Sequence, residues 1–150
     1  NGNIVKWDLI THKGAAAVVA VDKDGKLLMV RQYRNALDRE TLEIPAGALD
    51  TAEEPTQTAA ARELEEETGY KAGKLELLIS LKTTVAFCNE RIDVYVATDL
   101  TPSRQHLDED EFLNVERHDL DELLQMIFDC KIEDAKTVSS LLAYKQKYRQ

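Results

Sequence analysis

The sequence is short of cysteine, histidine, proline and basic charge, and each shortage excludes something. Two cysteines, Cys88 and Cys130, are too few for a disulfide scaffold in a chain of 150 residues. Free thiols in a reducing compartment, and so a cytoplasmic protein, are expected. Three histidines, His12, His106 and His118, are scattered without the spacing of a zinc site. Lys and Arg number 19 against 28 Asp and Glu, a formal net charge of −9. Nucleic acid and anionic membrane both attract basic surfaces, so neither is expected as a partner. No apolar run approaches the roughly 20 residues of a membrane span, and no secretory signal is visible. Long linkers, repeats and low-complexity tracts are also missing, so residues 1–150 are expected to form one domain. The chain opens at Asn1 without Met, so an N-terminal piece is expected to be absent.

What is present suffices for a core. Hydrophobic residues make up 43% of the chain, and a domain of this length buries about 68–70% of its unfolded surface. Residues 1–12 hold a β-prone stretch, Ile4 to Ile10. Ala15 to Val21 is continuously apolar, as in a strand buried on both faces. Asp22-Lys23-Asp24-Gly25 is a turn signal, and Leu27 to Tyr33 completes a hairpin. Leu42 to Ile44 is a short strand running into Pro45-Ala46-Gly47. Thr56 to Thr68 is predicted helical, with Ala59-Ala60-Ala61 as strong formers and Gly69 as a left-handed stop. Leu75 to Lys82 and Ile92 to Ala97 are two further strands. Asp119 and Asp134 are predicted to cap two final helices, the second reaching Tyr148. Strands, one central helix, more strands and two helices predict an α/β fold of the α+β kind, a sandwich around a mixed sheet.

The chemistry concentrates in Arg62-Glu63-Leu64-Glu65-Glu66-Glu67-Thr68-Gly69-Tyr70. On a helix, Glu63, Glu66 and Glu67 stand at i, i+3 and i+4, and their carboxylates share a face. Like charges so placed repel unless Arg62 or a hard cation neutralises them. Taken alone, this is as well explained by a solvated acidic face. The upstream strand and Pro/Gly turn change the balance, because a carbonyl freed from the ladder at such a turn is a further oxygen ligand.

Gly47 to Tyr70 resembles the Nudix box, G-x5-E-x7-R-E-U-x-E-E-x-G-U, where U is bulky and apolar. Its second half matches at Arg62, Glu63, Leu64, Glu66, Glu67, Gly69 and Tyr70. In the first half, Glu53 keeps the five-residue gap from Gly47 and Glu54 keeps the seven-residue gap to Arg62. Both assignments stand at this level. The resemblance covers nearly the whole chain and is to the ADP-ribose pyrophosphatase branch. It is carried by Val30-Arg31-Gln32-Tyr33-Arg34, Leu42 to Gly47, the box, Phe87 to Glu90, Leu107 to Phe112 and Asp134 to Thr137. Val85 stands where many members of the branch have proline.

The resemblance implies a Nudix-type α/β/α sandwich and Mg²⁺-dependent hydrolysis, with Mn²⁺ as a substitute. The substrate class is nucleoside diphosphate derivatives, and ADP-ribose would yield AMP and ribose 5-phosphate. Another ADP-sugar or a damaged nucleotide is the alternative within that chemistry. A non-catalytic module that senses ADP-ribose is the alternative outside it. Glu63 and Glu67, with the Ala46 carbonyl, are the implied metal ligands. Glu66 would hold a second ion, a metal-bound water or Arg62. The general base would come from the acidic loop, Glu109 first and Glu111 second. Arg34 would grip phosphate, Glu43 a substrate hydroxyl or a neighbouring position, and Gly47 would line the substrate site. Tyr33, Phe87 and Trp7 are candidates for stacking on adenine. A homodimer is implied too, with residues 1–12 crossing to the partner.

Overall fold

The computed structural model describes residues 2–107 and 112–149. Strand β1 (Ala15–Val21) is buried at every position, because its two faces meet two different cores. Ala17, Val19 and Val21 pack with Met29, Leu123 and Leu141. Ala16, Val18 and Ala20 pack with Ala59, Ala60 and Leu64. The period of two along a strand divides the apolar run between these layers. Helix α1 (Thr56–Thr68) covers one face of the sheet, while α2 (Leu120–Phe128) and α3 (Ala135–Tyr148) cover the other. The expected three-layer sandwich is observed.

The sheet is mixed. β1 runs parallel to β7 (Arg91–Thr98), and β6 (Lys74–Lys82) lies antiparallel beyond it. β2 (Leu27–Arg34) pairs with β1 only at Ala20–Leu28 and Val21–Leu27. The two strands then splay. β2 takes β3 (Arg39–Glu43) as its neighbour, and β1 takes β4 (Ala46–Ala48). Ile44 and Pro45 join these two inserted strands, and the Pro45 carbonyl accepts a 2.9 Å bond from Val18 N–H. β4 is thereby held in the gap, beside α1. A minor sheet pairs β5 (Tyr70–Lys71) with β8 (Thr101–Pro102).

Several expectations hold to the residue. Helix α1 has the predicted bounds. Gly69 closes it with φ 72°, donating to the Glu65 carbonyl at 2.9 Å. Asp134 caps α3 by accepting from Thr137 N–H. Others differ. Ile4 to Ile10 forms no strand in the single chain; Ile10 alone of these residues makes a bridge, to Cys88. Asp119 precedes α2 without a side-chain cap bond, because its carboxylate is turned to Lys26 at 3.3 Å. An unpredicted strand, β9 (Leu113–His118), runs antiparallel to β2.

Candidate functional site

The site is built where β4 meets α1. In the β1–β4 ladder, Gly47 lies opposite Ala16, while Pro45 and Leu49 bond across to Val18 and Gly14. Antiparallel pairing alternates bonded and non-bonded positions, so Ala46 and Ala48 turn their backbone polar groups away from β1. On that outer edge Ala46 N–H donates to Glu67 Oε2 at 3.0 Å. The Ala48 carbonyl accepts from Arg62 Nη2 at 3.1 Å. The Ala46 carbonyl shares this edge, as a freed turn carbonyl would.

Gly47 is required by Glu63. A Cβ at position 47 would lie 2.1 Å from the Glu63 carboxyl carbon and 2.2 Å from each of its oxygens. Glu63 and Glu67 are buried, at 9% and 2% exposure, although burying charge is costly unless it is paired. Glu66, one turn on, is half exposed. Two buried carboxylates beside an outward carbonyl, under a cradle that admits no side chain, match the oxygen donors a hard divalent cation requires. Among the described residues, no three His, Cys, Asp or Glu side chains converge into a finished cage. Glu63 is turned to Arg62, and Glu67 to the Ala46 amide.

Arg62 is the hub. Its guanidinium donates to Glu63 at 2.7 Å, Glu66 at 3.1 Å and Glu54 at 3.3 Å. Burial works against its charge, but the Glu54 bond and the Glu63 charge outweigh that and raise its pKa. The structure also decides between the two box glutamates. Glu54 accepts from the Asp50 amide at 2.7 Å and from Arg62, and both hold its carboxyl below the ordinary value. Glu53 is exposed. The extra residue is thus absorbed in the loop before Glu54, and the seven-residue gap to Arg62 is the structural one.

A second cluster adjoins the first. Arg34 and Glu43 form a two-pronged pair at 2.8 and 2.7 Å. Thr41 donates to the same carboxylate at 2.6 Å, and Lys136 donates to its other oxygen. Burial would push the Glu43 carboxyl up, but Arg34, then Lys136 and Thr41, bring it down to about 2. Glu43 is therefore occupied by protein cations, which favours the neighbouring-position role over direct contact with a substrate hydroxyl. A cavity of about 420 Å³ runs between Arg34 and Lys136 on one side and Ala46 and Gly47 on the other. A smaller one, about 290 Å³, is lined by Arg62, Glu63 and Glu66 together with Lys13 and His106.

The two sites thus share the β4 backbone, and the structure brings Arg34, Glu43, Ala46, Gly47, Arg62, Glu63, Glu66 and Glu67 into one region. Glu109 and Glu111 lie outside the described residues. The chain leading toward them is tied to the end of α1. His106 N–H donates to the Glu66 carbonyl at 2.9 Å, and the Gln105 amide to that of Glu67 at 2.6 Å. These bonds satisfy carbonyls that a helix end leaves without partners. The aromatic candidates are separated. Tyr33 is bonded to Asp38, whereas Phe87 accepts from Ile10 N–H at 2.7 Å; Trp7 is 78% exposed. Lys13, His106 and Lys136 were not legible as site residues, since no local pattern distinguishes them. Only the Asp134 to Thr137 segment of the resemblance pointed near Lys136.

The NUDIX domain model matches residues 11–141. The chain is 46% identical over 140 residues to the methanol dehydrogenase activator of Bacillus methanolicus, covering 92% of this chain and 75% of that one. It is 42% identical over 143 residues to the ADP-ribose pyrophosphatase of Bacillus subtilis (strain 168), covering 94% and 77%. The crystal structure of an ADP compounds hydrolase superposes with a TM-score of 0.80 at 28% identity, over 91% of this chain and 75% of that one. The chain belongs to the NUDIX family.

Proposed function

We propose that this hydrolase cleaves the diphosphate bond of ADP-ribose, giving AMP and ribose 5-phosphate, with Mg²⁺ at the α1–β4 edge and Mn²⁺ able to replace it. The observation that carries the reading is the fit of Gly47 to Glu63 beside the Ala46 edge, in a chain 42% identical to an ADP-ribose pyrophosphatase. Glu63, Glu67 and the Ala46 carbonyl would hold the cation, with Glu66 at its margin. When bound, it would neutralise the diphosphate and lower the pKa of an attacking water.

The chain's own groups do the rest. Gly47 lets the Glu63 carboxylate lie against the β4 backbone, beside the cavity where the diphosphate would bind. Arg34, fixed along one edge by both oxygens of Glu43, offers its remaining guanidinium N–H groups to a phosphate oxygen. Arg62 keeps Glu63 and Glu66 apart from each other's charge and pointed at the edge. Glu109, or Glu111 in its place, takes the water's proton. Positioning and charge stabilisation are most of what transfer at phosphorus demands. A non-catalytic sensing module is disfavoured, because such modules lose box carboxylates and all of them are present here.

The protein is proposed to act as a homodimer through its N-terminal arm. Ile4, Val5, Trp7, Leu9 and Ile10 are all exposed, and a run of large apolar side chains in water marks an interface. Among the described residues no helix is long and apolar enough to cross a membrane.

The test is a panel of nucleoside diphosphate derivatives incubated with Mg²⁺ and scored for AMP release. ADP-ribose should be the best substrate, and excess chelator should abolish turnover. Preference for another ADP-sugar would reassign the substrate within the same chemistry. Full activity in chelator would refute the metal-dependent reading.

A further inference from the structure

The proposed reaction leaves the half-buried cation of Lys136 without a part. The Lys136 side chain is only 11% exposed, yet it stands in the first turn of α3. A cation there faces the positive end of the helix dipole. Burial adds a second cost. Two carboxylates offset both costs: Glu43, and Asp134 at 2.9 Å. Asp134 is itself held by Thr137 N–H at 3.0 Å and the Thr137 hydroxyl at 2.6 Å. That hydroxyl accepts from Ile44 N–H at 3.1 Å. The start of α3 is therefore fastened at two consecutive residues, Glu43 and Ile44, to the segment that leads into Ala46 and Gly47.

We propose that Lys136 is a positioning residue: by bridging Asp134 and Glu43 it fixes the carboxylate that aims the Arg34 guanidinium at the diphosphate. Without Lys136, Glu43 would keep Arg34 and Thr41 but lose its tie to α3. The carboxylate would then be free to turn with Arg34 rather than brace it. The inference rests on the phosphate-gripping role of Arg34 proposed above. Lys136 lines the same cavity as Arg34, so direct contact with the phosphate is the rival, and a double-mutant cycle separates the two.

The cycle comprises wild type, Lys136→Met, Arg34→Met and the double variant. Two quantities are read: KM with Mg²⁺, and calorimetric binding of ADP-ribose in excess chelator, where no turnover occurs. Lys136→Met should weaken both by about tenfold, as loss of a charged hydrogen bond would, with kcat changed less than KM. In the Arg34→Met background it should change them less than about twofold. Lys136→Arg should recover most of the loss. An equal loss in both backgrounds would mean direct contact and would overturn the proposal. So would an unchanged KM with only the yield of folded protein reduced. Where Lys136→Met does not fold, Lys136→Gln, which keeps a donor, takes its place in the cycle. Should the wild type prefer another nucleoside diphosphate derivative, the substrate assignment fails, and the same cycle run on that compound decides the role of Lys136.

Discussion

Gly47→Ala is the sharpest perturbation the site allows. The backbone at Gly47 is not left-handed, so the added methyl meets no conformational penalty of its own. Its whole effect comes from the Glu63 carboxylate, 2.1–2.2 Å from the new Cβ. Ordinary contact requires well over an ångström more, so the carboxylate must leave. Glu63 is buried, and its oxygen is bonded to Arg62 at 2.7 Å. Eviction breaks a charge-assisted bond of about 1.5–3 kcal/mol and overpacks the edge, typically about 1–3 kcal/mol. Partial relaxation makes these overlapping costs rather than a sum, and a loss of about 2 kcal/mol is expected. For 150 residues that lowers Tm by roughly 4–8 °C, measurable by calorimetry. Activity should fall further, by about 10²-fold, since an ångström's misplacement of an active group has that effect. The control is Gly47→Ala with Glu63→Ala. It relieves the clash and should recover part of the stability, but no activity. A Gly47→Ala protein as stable and as active as wild type would refute the account of this edge.

The other predictions follow from the same geometry. Glu109→Gln should lower kcat by about 10²–10⁴-fold with little change in KM, the range for removing a general base, and Glu111→Gln should be mild; the reverse pattern moves the role to Glu111, and two mild variants exclude a loop base. Glu43 is lowered from an ordinary 4.5 to about 2 in the fold, so its contribution to stability is fully present above 4.5 and is lost as pH falls toward 2. Glu43→Gln should therefore flatten the acid limb of a Tm-against-pH curve, and an unchanged acid limb would contradict the pairing. Arg62→Met should destabilise the protein and remove the Arg62 charge from beside Glu63 and Glu66, so that added Mg²⁺ raises its Tm more than it does that of wild type in a thermal-shift assay. Light scattering should give twice 16.9 kDa at micromolar concentration, and Trp7→Ser with Val5→Ser should shift the population toward monomer.

Some elements were legible because a local rule suffices for them. Helix α1 carries its formers, its stop and its acidic face within 14 consecutive residues, Thr56 to Gly69, so period and capping agree. Strand β1 is apolar throughout because it feeds two cores. Strand β9 has no such signal. Leu113 is buried, but Arg117 stands on the same face as Leu113 and Val115, and Glu116 and His118 occupy the other. Glu116 is stabilised there by Arg31, 85 residues away on β2, and local alternation carries no trace of that pair. The same limit hid Lys136. Asp134 could be read as a cap because its bond is to a residue three positions on, whereas Glu43, the partner that ties Lys136 to the site, is 93 residues away.

The box shows both regimes in one segment. From Arg62 onward its positions are set by a helix, where spacing is geometry, and the sequence match transfers directly. Before Thr56 the chain is a loop, and a count of residues there does not determine which glutamate arrives. What determines it is Arg62. Its guanidinium spans the Ala48 carbonyl, Glu54 and Glu63 at once, and a donor with a rigid fork accepts only acceptors at fixed directions. The Asp50 amide binds Glu54 from the other side, closing a turn around the extra residue. A change of length is therefore best tolerated between Asp50 and Glu54, and harmful between Glu54 and Glu67. Moving the extra residue is a direct trial: deleting Ala52 should preserve the Arg62 network and most activity, while inserting one alanine after Ala61 should rotate Glu63 and Glu67 off the β4 edge by about 100° and abolish it.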